Sequence, residues 1–400
     1  MSRVTRAVVI GAGTMGMGIA MAFAAAAFET TLIDASEEAL ARARARAEKR
    51  GLTSIVTTTG GDDALAAADV VVEAVFEDLD VKRGIFRRLN DLCRDDALLA
   101  SNTSTLDIDL IADDLPSADR IVGMHFWNPA HVNPALEIIR GAKTSPKILR
   151  ESVALGERLG KIPVVVGNCD GFVANRMLFK YIREVETMVE EGANVAEVDR
   201  ALVEFGFPMG PFAMMDLAGV DVGWRVRQGR MERGGYPYRI GVLFDRLHER
   251  GRFGQKTGAG FYRYEPGSHE PIADGVVEGV AEEERGKRGV AKVVPTRDEI
   301  VERSMWSMVN EGASILDEGI AASASDIDAI WRPGFGFPAD KGGPMQYADS
   351  VGLAHVLAFV RARAIDDPEF WRPSPLLERL VAEKRSFSDV HHPNPIGVSA

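Results

Sequence analysis

The sequence predicts an α/β chain, with a doubly wound parallel sheet over residues 1–168 followed by two all-α domains that repeat one another. Three observations carry this. Short apolar runs alternate with helix-like stretches through the first third, the pattern of strands joined by right-handed crossovers. A glycine-rich turn, Gly11-Ala12-Gly13-Thr14-Met15-Gly16, follows the first of those runs. Beyond Gly171 the strand signal fades, helical periodicity takes over, and a series of residues recurs in order.

The strand-like runs are 7–10, 30–33, 70–74, 98–100, 121–124 and 163–166. In the turn after the first, Gly11 permits a tight bend, Gly13 lets a pyrophosphate approach the backbone, and Gly16 lets a helix close on the strand. The turn has a strand before it, a small-residue helix pattern to about residue 27 after it, and a second strand ending in TTLIDAS. That context makes it a Rossmann-type dinucleotide site. Asp34, 23 residues past Gly11, stands where a carboxylate accepts from the adenosine ribose and repels a 2′-phosphate, which selects NAD over NADP. Ligands of such sheets bind beyond the carboxyl ends of the strands, where Asp34, Glu73, Glu77, Asn102, Ser104 and His125 fall.

Residues 101–106 read SNTSTL and 123–141 read GMHFWNPAHVNPALEIIRG. His125 thus lies between a polar cluster (Ser101, Asn102, Ser104) and Glu137, twelve residues downstream. Alcohol oxidation needs a base near pH 7 to take the hydroxyl proton, and histidine suits it. A nearby carboxylate would fix its tautomer and stabilise imidazolium. The other histidines, His131, His248, His269, His355, His391 and His392, have no partner at a telling spacing and form no metal-ligand set, so no metal is expected. No G-x-S-x-G elbow or phosphate P-loop competes with this reading.

Four hundred residues suit two or three domains, and 46% hydrophobic with 26% charged residues is ordinary for a globular chain. A net charge of -12 leaves no basic stripe for nucleic acid. The local run Arg42-Arg44-Arg46-Lys49-Arg50 reads as a solvated helix face or as a contact for a phosphorylated ligand. Cys93 and Cys169 lack metal or redox spacing and fit a reducing cytoplasm. The longest apolar stretch, 16–28, is too short for a bilayer and begins inside the glycine turn, so neither a leader nor membrane insertion is expected.

The second region divides into a first helical domain (169–264), a Gly-, Glu- and Pro-rich flexible linker (265–296) and a second helical domain (297–390). Val189-Glu190-Glu191-Gly192, Glu197-Val198-Asp199, Gly206-Phe207-Pro208, Gly210-Pro211, Asp216 and Gly219 recur as Leu316-Asp317-Glu318-Gly319, Asp326-Ile327-Asp328, Gly336-Phe337-Pro338, Gly343-Pro344, Asp349 and Gly352. One helical unit has been duplicated. The register places Glu302 opposite Asn175 and Arg303 opposite Arg176, so the second copy reads as structural.

Together these pieces resemble the L-3-hydroxyacyl-CoA dehydrogenase family, and the tandem helical units look like the dehydrogenase portion of multifunctional fatty-acid oxidation proteins. The resemblance covers roughly residues 4–385 and rests on VVIGAGTMGMGIA, EAVFEDLDVKRGIF, SNTSTL, GMHFWNPA with EIIRG, GFVANRML, GFPMGPFAMMDLAGVD and GQKTGAGFYRY. It implies NAD-dependent oxidation of a short or medium L-3-hydroxyacyl-CoA to the 3-ketoacyl-CoA, in fatty-acid β-oxidation or related metabolism. His125 would be the base and Glu137 its orienting partner. Ser104 and Asn175 match positions near the reacting oxygen and acyl group, and Glu77, Lys82, Asn102, Asn128 and Lys256 match positions near the nicotinamide or its ribose and phosphates. By residue type alone, Asn175 equally suits a helix cap, Ser101 and Ser104 a strand-end turn, and Lys256 a solvated glycine-rich turn.

The chain departs from the family in four places. The segment between Asp34 and Glu77 is shorter by about one helix, where relatives project a helical pair onto coenzyme A, so that clamp is expected to be weakened or replaced. Trp127 replaces the usual phenylalanine and Asn133 an apolar residue, which reshapes the acyl pocket; Asp170 replaces a proline at the helix entry. The cofactor strand begins almost at Met1, so hydration of enoyl thioesters is not expected. The duplication implies that 297–385 packs on 171–262 in one chain, giving a monomer, with a homodimer as the other arrangement. A hydratase or thiolase is a partner that the resemblance admits. Two other readings stay open: an NAD-dependent dehydrogenase of a free hydroxy or sugar acid, and a non-catalytic NAD-binding scaffold subunit.

Overall fold

The computed structural model describes residues 5–52 and 54–393, so the first four residues of the expected first domain lie outside the described residues. It divides into two compact units. Unit 1 comprises Met1–Arg176, Ile315–Phe335 and Ser388–Ala400; unit 2 comprises Met177–Ser314 and Gly336–Phe387.

Unit 1 is built on an eight-stranded sheet. Its strands are β1 (Arg6–Ile10), β2 (Glu29–Ile33), β3 (Ile55–Thr58), β4 (Val70–Glu73), β5 (Leu98–Ser101), β6 (Ile121–Phe126), β7 (Ala135–Arg140) and β8 (Ile162–Gly167), in the order β3-β2-β1-β4-β5-β6-β7-β8. Strands β1 to β6 are mutually parallel, whereas β7 runs antiparallel to β6 and β8 follows β7. The expected doubly wound parallel sheet is present, and at this edge β7 and β8 reverse direction. Residues 127–134 are too few for a crossover, which needs about a dozen, so the chain turns back as a hairpin.

Two of these strands are not among the expected runs. Strand β3 (IVTT) is a short edge strand with no fully buried residue, and its two apolar residues are too short a run to register. Strand β7, ALEIIR, is buried except at Arg140, but a carboxylate in its middle breaks the apolar run. That carboxylate is Glu137.

The helices of the wound region are α1 (Thr14–Ala25), α2 (Glu37–Glu48), α3 (Asp62–Ala67), α4 (Leu79–Leu92), α5 (Ile108–Ile111) and α6 (Pro146–Arg158). Ser36, Asp78 and Ser145 cap α2, α4 and α6 by accepting from the backbone N–H three residues on. Helix α1 has Gly13 at its cap and no side-chain acceptor, which leaves its first N–H groups open. It is buried from Gly16 to Phe23 against Val9, Leu32 and Val72 of the sheet.

The remaining helices are α7 (Ala174–Glu191), α8 (Val195–Phe205), α9 (Pro211–Ala218), α10 (Val220–Glu232), α11 (Leu243–Glu249), α12 (Val276–Arg288), α13 (Arg297–Asp317), α14 (Ala324–Phe335), α15 (Pro344–Val351), α16 (Leu353–Arg363) and α17 (Pro375–Glu383). Helix α14 belongs to unit 1. Helix α12 stands inside the expected linker 265–296, where it buries Val277, Val280 and Ala281 at helical spacing. Three small apolar residues among Glu, Arg and Gly do not register as periodicity. Among the described residues no helix is long and apolar enough to cross a membrane.

Within unit 2 the two copies of the repeat pack on each other reciprocally. A Cβ on Gly206 would come within 2.8 Å of Pro338, and one on Gly336 within 2.7 Å of Pro208. Between them the Phe207 and Phe337 rings meet edge-on at 5.4 Å. Residue i touching j while j′ touches i′ is the mark of a two-fold contact, here between copies in one chain. Arg303 of the second copy reaches Glu184 (2.5 Å) and Glu191 (2.6 Å) on α7. Internal bonding repeats as well: Asp216 accepts from the Phe261 N–H at 2.7 Å and Asp349 from the Phe387 N–H at 2.8 Å.

Asp216 also accepts from the Tyr262 N–H and the Tyr264 hydroxyl, and burial pushes its carboxyl up to about 6 despite these donors. A folded value above the unfolded one means that its contribution is fully present below about 3.8 and is lost as pH rises through 6. The stability of the native protein relative to Asp216→Asn should therefore rise between pH 7 and pH 5 in urea titrations. A difference that stays flat over that window would show the carboxyl to be unperturbed.

Candidate active site

The glycine turn after β1 is shaped by close approaches. A Cβ on Gly11 would lie 2.5 Å from the Ala74 carbonyl oxygen, and one on Gly16 would lie 1.8 Å from that of Gly11. Gly13 is exposed with nothing within 4 Å of where its Cβ would be, directly before the open N–H groups of α1. The result is a concave, donor-lined end of a helix, which fits a pyrophosphate. Beside it Asp34 accepts from the Ala12 N–H (2.6 Å) and the Ser36 N–H (2.8 Å), so its carboxylate is held at the end of β2. Thr14 is exposed and Met15 half-buried at the start of α1. The residues present therefore fit an NAD molecule.

His125 lies on β6 directly opposite Glu137 on β7. Because the connection is a hairpin, twelve residues of separation become one cross-strand pair. His125 Nδ1 is 2.8 Å from Glu137 Oε2, and the His125 side chain is 11% exposed while that of Glu137 is fully buried. The other oxygen, Oε1, accepts from the Val173 (3.1 Å) and Ala174 (2.9 Å) N–H groups at the start of α7. With three donors fixing the carboxylate, the network assigns the proton of neutral His125 to Nδ1 and leaves a lone pair on Nε2.

Trp127 lies against this pair, its ring centroid 4.5 Å from that of His125. Helix α14 backs it: the Phe335 ring meets Trp127 edge-on at 6.1 Å, and a Cβ on Gly334 would come 3.1 Å from the indole nitrogen. Asn133 accepts from the Ala135 N–H and donates to the Gly334 carbonyl at 3.4 Å. The two departures at Trp127 and Asn133 thus engage the same helix.

A second polar cluster sits at the ends of β4 and β5. Glu77 Oε1 accepts from Thr103 Oγ1 (2.6 Å), the Ser104 N–H (2.8 Å) and the Thr105 N–H (3.1 Å), with Lys82 3.4 Å from its other oxygen. Burial opposes its ionisation, but Lys82 and these donors outweigh it and hold the carboxyl below the usual range. Lys82 itself is fully buried and bonds Glu73 at 2.7 and 3.0 Å, while Ser101 donates to Glu73 at 2.6 Å. Its ammonium therefore pairs with both Glu73 and Glu77. Asn102 is likewise engaged, its Oδ1 accepting from the Phe126 N–H at 3.0 Å and tying the ends of β5 and β6 together.

Asn175, in the first turn of α7, donates through Nδ2 to the Ser104 carbonyl at 3.0 Å and does not cap the helix. The Ser104 hydroxyl is 3.3 Å from Glu77. Unit 1 thus contains the glycine turn, Asp34, Glu77, Lys82, Asn102, Ser104, His125, Asn128, Glu137 and Asn175, with Asn128 exposed just past Trp127. Lys256 lies in unit 2, half-exposed and paired with Asp221. From sequence Glu73 is recognisable at a strand end, but no role is legible for it, Thr103 or Thr105. Two acids four residues apart, with a lysine on the following helix, are the available signal.

The NAD-binding domain model of 3-hydroxyacyl-CoA dehydrogenases matches residues 6–169, and the C-terminal domain model matches twice, at 171–264 and 300–388. The chain is 40% identical to the peroxisomal bifunctional enzyme of Danio rerio over 94% of its own length and 56% of that protein. It spans about half the length of the curated relatives it matches. Among solved structures it resembles 3-hydroxybutyryl-CoA dehydrogenase from Escherichia coli K12, with a TM-score of 0.82 and 26% identity over 95% of this chain and 99% of that one. The dehydrogenase part of multifunctional enzyme 1 from C. elegans gives 0.69 and 29% over 94% and 89%.

Proposed function

The chain belongs to the 3-hydroxyacyl-CoA dehydrogenase family, and from that premise we propose that it oxidises L-3-hydroxyacyl-CoA esters of short or medium chain length to 3-ketoacyl-CoA esters with NAD. The step belongs to fatty-acid β-oxidation or related acyl-CoA metabolism. The observation that supports it most is the buried His125–Glu137 pair at 2.8 Å, on the same sheet as the glycine turn with β4 and β5 between them. NAD, when bound, supplies the hydride acceptor. His125 takes the hydroxyl proton at Nε2, and Glu137 stabilises the imidazolium that results. Asn175 uses one N–H on Ser104, which leaves a second for the developing carbonyl oxygen, and the Ser104 hydroxyl becomes a further donor by turning its one proton from Glu77 to the substrate. Asp34, with Gly11 to Gly16, holds the adenosine and pyrophosphate; Glu77 fixes the turn that carries Ser104. The bulk of Trp127 and Phe335 favours short acyl chains.

The test is NADH absorbance with L-3-hydroxybutyryl-CoA set against free 3-hydroxybutyrate and sugar acids. Turnover of the free acids alone would overturn the thioester reading. Asp34→Ala should raise KM for NAD about tenfold, the equivalent of one lost charge-assisted hydrogen bond, and should narrow the preference for NAD over NADP. An unchanged preference would remove Asp34 from cofactor choice.

A further inference from the structure

Two aromatic rings flank the imidazole of His125. The Phe172 centroid stands 6.1 Å from it with the planes 56° apart, and the Trp127 centroid 4.5 Å from it with the planes only 36° apart. Side chains two residues apart on a strand point to the same side, which sets Trp127, just past the end of β6, beside His125. An edge-on pair would stand near 90°, so the imidazole meets the indole on its face. Helix α14 fixes the indole there. Phe335 meets it edge-on at 6.1 Å and is itself 4.5 Å from Trp331. A Cβ on Gly334 would lie 3.1 Å from the indole Nε1 and 3.2 Å from Cε2, so only glycine leaves room for the ring.

The reaction changes the charge that this ring must meet. As hydride passes from C3 to NAD and the hydroxyl proton passes to Nε2, a carbonyl forms and neutral imidazole becomes imidazolium. Its side chain is only 11% exposed, so water solvates the new charge poorly, and burial opposes it. Glu137, bonded at Nδ1, meets the charge at one edge of the ring. The faces lie beyond its reach. An aromatic face carries the negative part of the ring quadrupole and attracts a cation within about 6 Å of the centroid, indole most strongly of the three aromatic types.

We propose that Trp127 is a positioning residue for the base, its indole face stabilising the imidazolium of His125 as the proton is transferred. The proposal rests on the dehydrogenase reading, since it is proton transfer to His125 that creates the charge. It also gives the second helical copy a part in the chemistry, because Gly334 and Phe335 of α14 hold the indole in place. A residue that only packs needs the volume of the ring. A residue that stabilises a cation needs the electron density of its face, and the experiment separates the two.

Mono-, di- and trifluorinated tryptophan are placed at position 127 alone by stop-codon suppression in the full chain. Fluorine draws electron density from the ring face with little change of shape, so packing hardly responds to the series. With L-3-hydroxybutyryl-CoA, kcat should fall at each step while KM for the ester, KM for NAD and the urea midpoint stay near the native values. Trp127→Leu, apolar but without a face, should lower kcat about tenfold, the reach of a desolvated cation–π contact, and Trp127→Phe should recover part of that loss. A kcat that stays flat across the fluorinated series overturns the proposal, whatever the leucine variant does. A second arm needs no substrate. By NMR of labelled histidine, the pH at which His125 takes up its proton should move down along the same series, while His248, stacked on Trp224 at 3.7 Å, is the control and should not move. Proton uptake at His125 that ignores the fluorines also overturns the proposal. Absence of turnover by the native protein would sink the dehydrogenase reading instead, and the NMR arm would still decide the role of the indole face.

Discussion

Replacing His125 with alanine is expected to lower kcat with L-3-hydroxybutyryl-CoA by at least about 100-fold, the usual reach of a positioned general base, while NADH binding measured by fluorescence stays near the native value. The imidazole touches neither the glycine turn nor Asp34 in its bonding; its partner is Glu137. Removing it therefore takes away the proton acceptor and spares the dinucleotide cradle. Glu137→Gln separates base from orienter. A glutamine has one acceptor oxygen for the two sides that Glu137 serves, so either its NH2 meets the Val173 and Ala174 N–H groups or it meets Nδ1 and moves the imidazole proton to Nε2; in both cases a neutral group stabilises imidazolium poorly, and the loss should fall on kcat. His125→Ala with native turnover would remove the residue from the mechanism, and equal turnover in both variants and the native protein would remove the pair.

Much of this site is legible in the sequence, because the residues that carry it sit on strand ends that the apolar runs announce. Gly11 and Gly16 are constrained by approaches below 3 Å, and such constraints leave glycine in the sequence. Residue type suggests the pairing of His125 with Glu137, but its geometry depends on β7 running antiparallel, which the carboxylate itself conceals by breaking the apolar run. The burial of Lys82 is not legible in the sequence. A lysine reads as a solvated or ligand-binding cation from sequence, since nothing local records that two acids enclose it. Helix α12 is hidden by composition, and the contact of Trp127 with Phe335 joins residues far apart in the chain that no spacing rule connects.

Replacement of Lys82 by methionine is expected to cost about 3–5 kcal/mol of stability, the loss seen when one partner of a buried ion pair is removed. The ammonium is fully buried and bonds Glu73 at 2.7 Å, with Glu77 at 3.4 Å on its other side. Methionine fills the volume but leaves Glu73, also fully buried, with no opposing charge. The sign of the pH dependence follows from Glu77. Burial opposes its charge and Lys82 leads the groups that overcome it, so its folded carboxyl titrates below the ordinary glutamate value of 4.5. That contribution is present above about 4.5 and is lost as pH falls through the lowered folded value. The gap in urea midpoint between native and Lys82→Met should accordingly be widest near neutrality and shrink below pH 4.5. Neutralising the acids as well, in K82M/E73Q/E77Q, should recover part of the loss, because the penalty lies in the charges left behind and not in the absent lysine contact. A triple variant no more stable than Lys82→Met alone would place the cost in packing, and the cluster would then be a filler of space beneath the Ser104 turn instead of the electrostatic device that holds it.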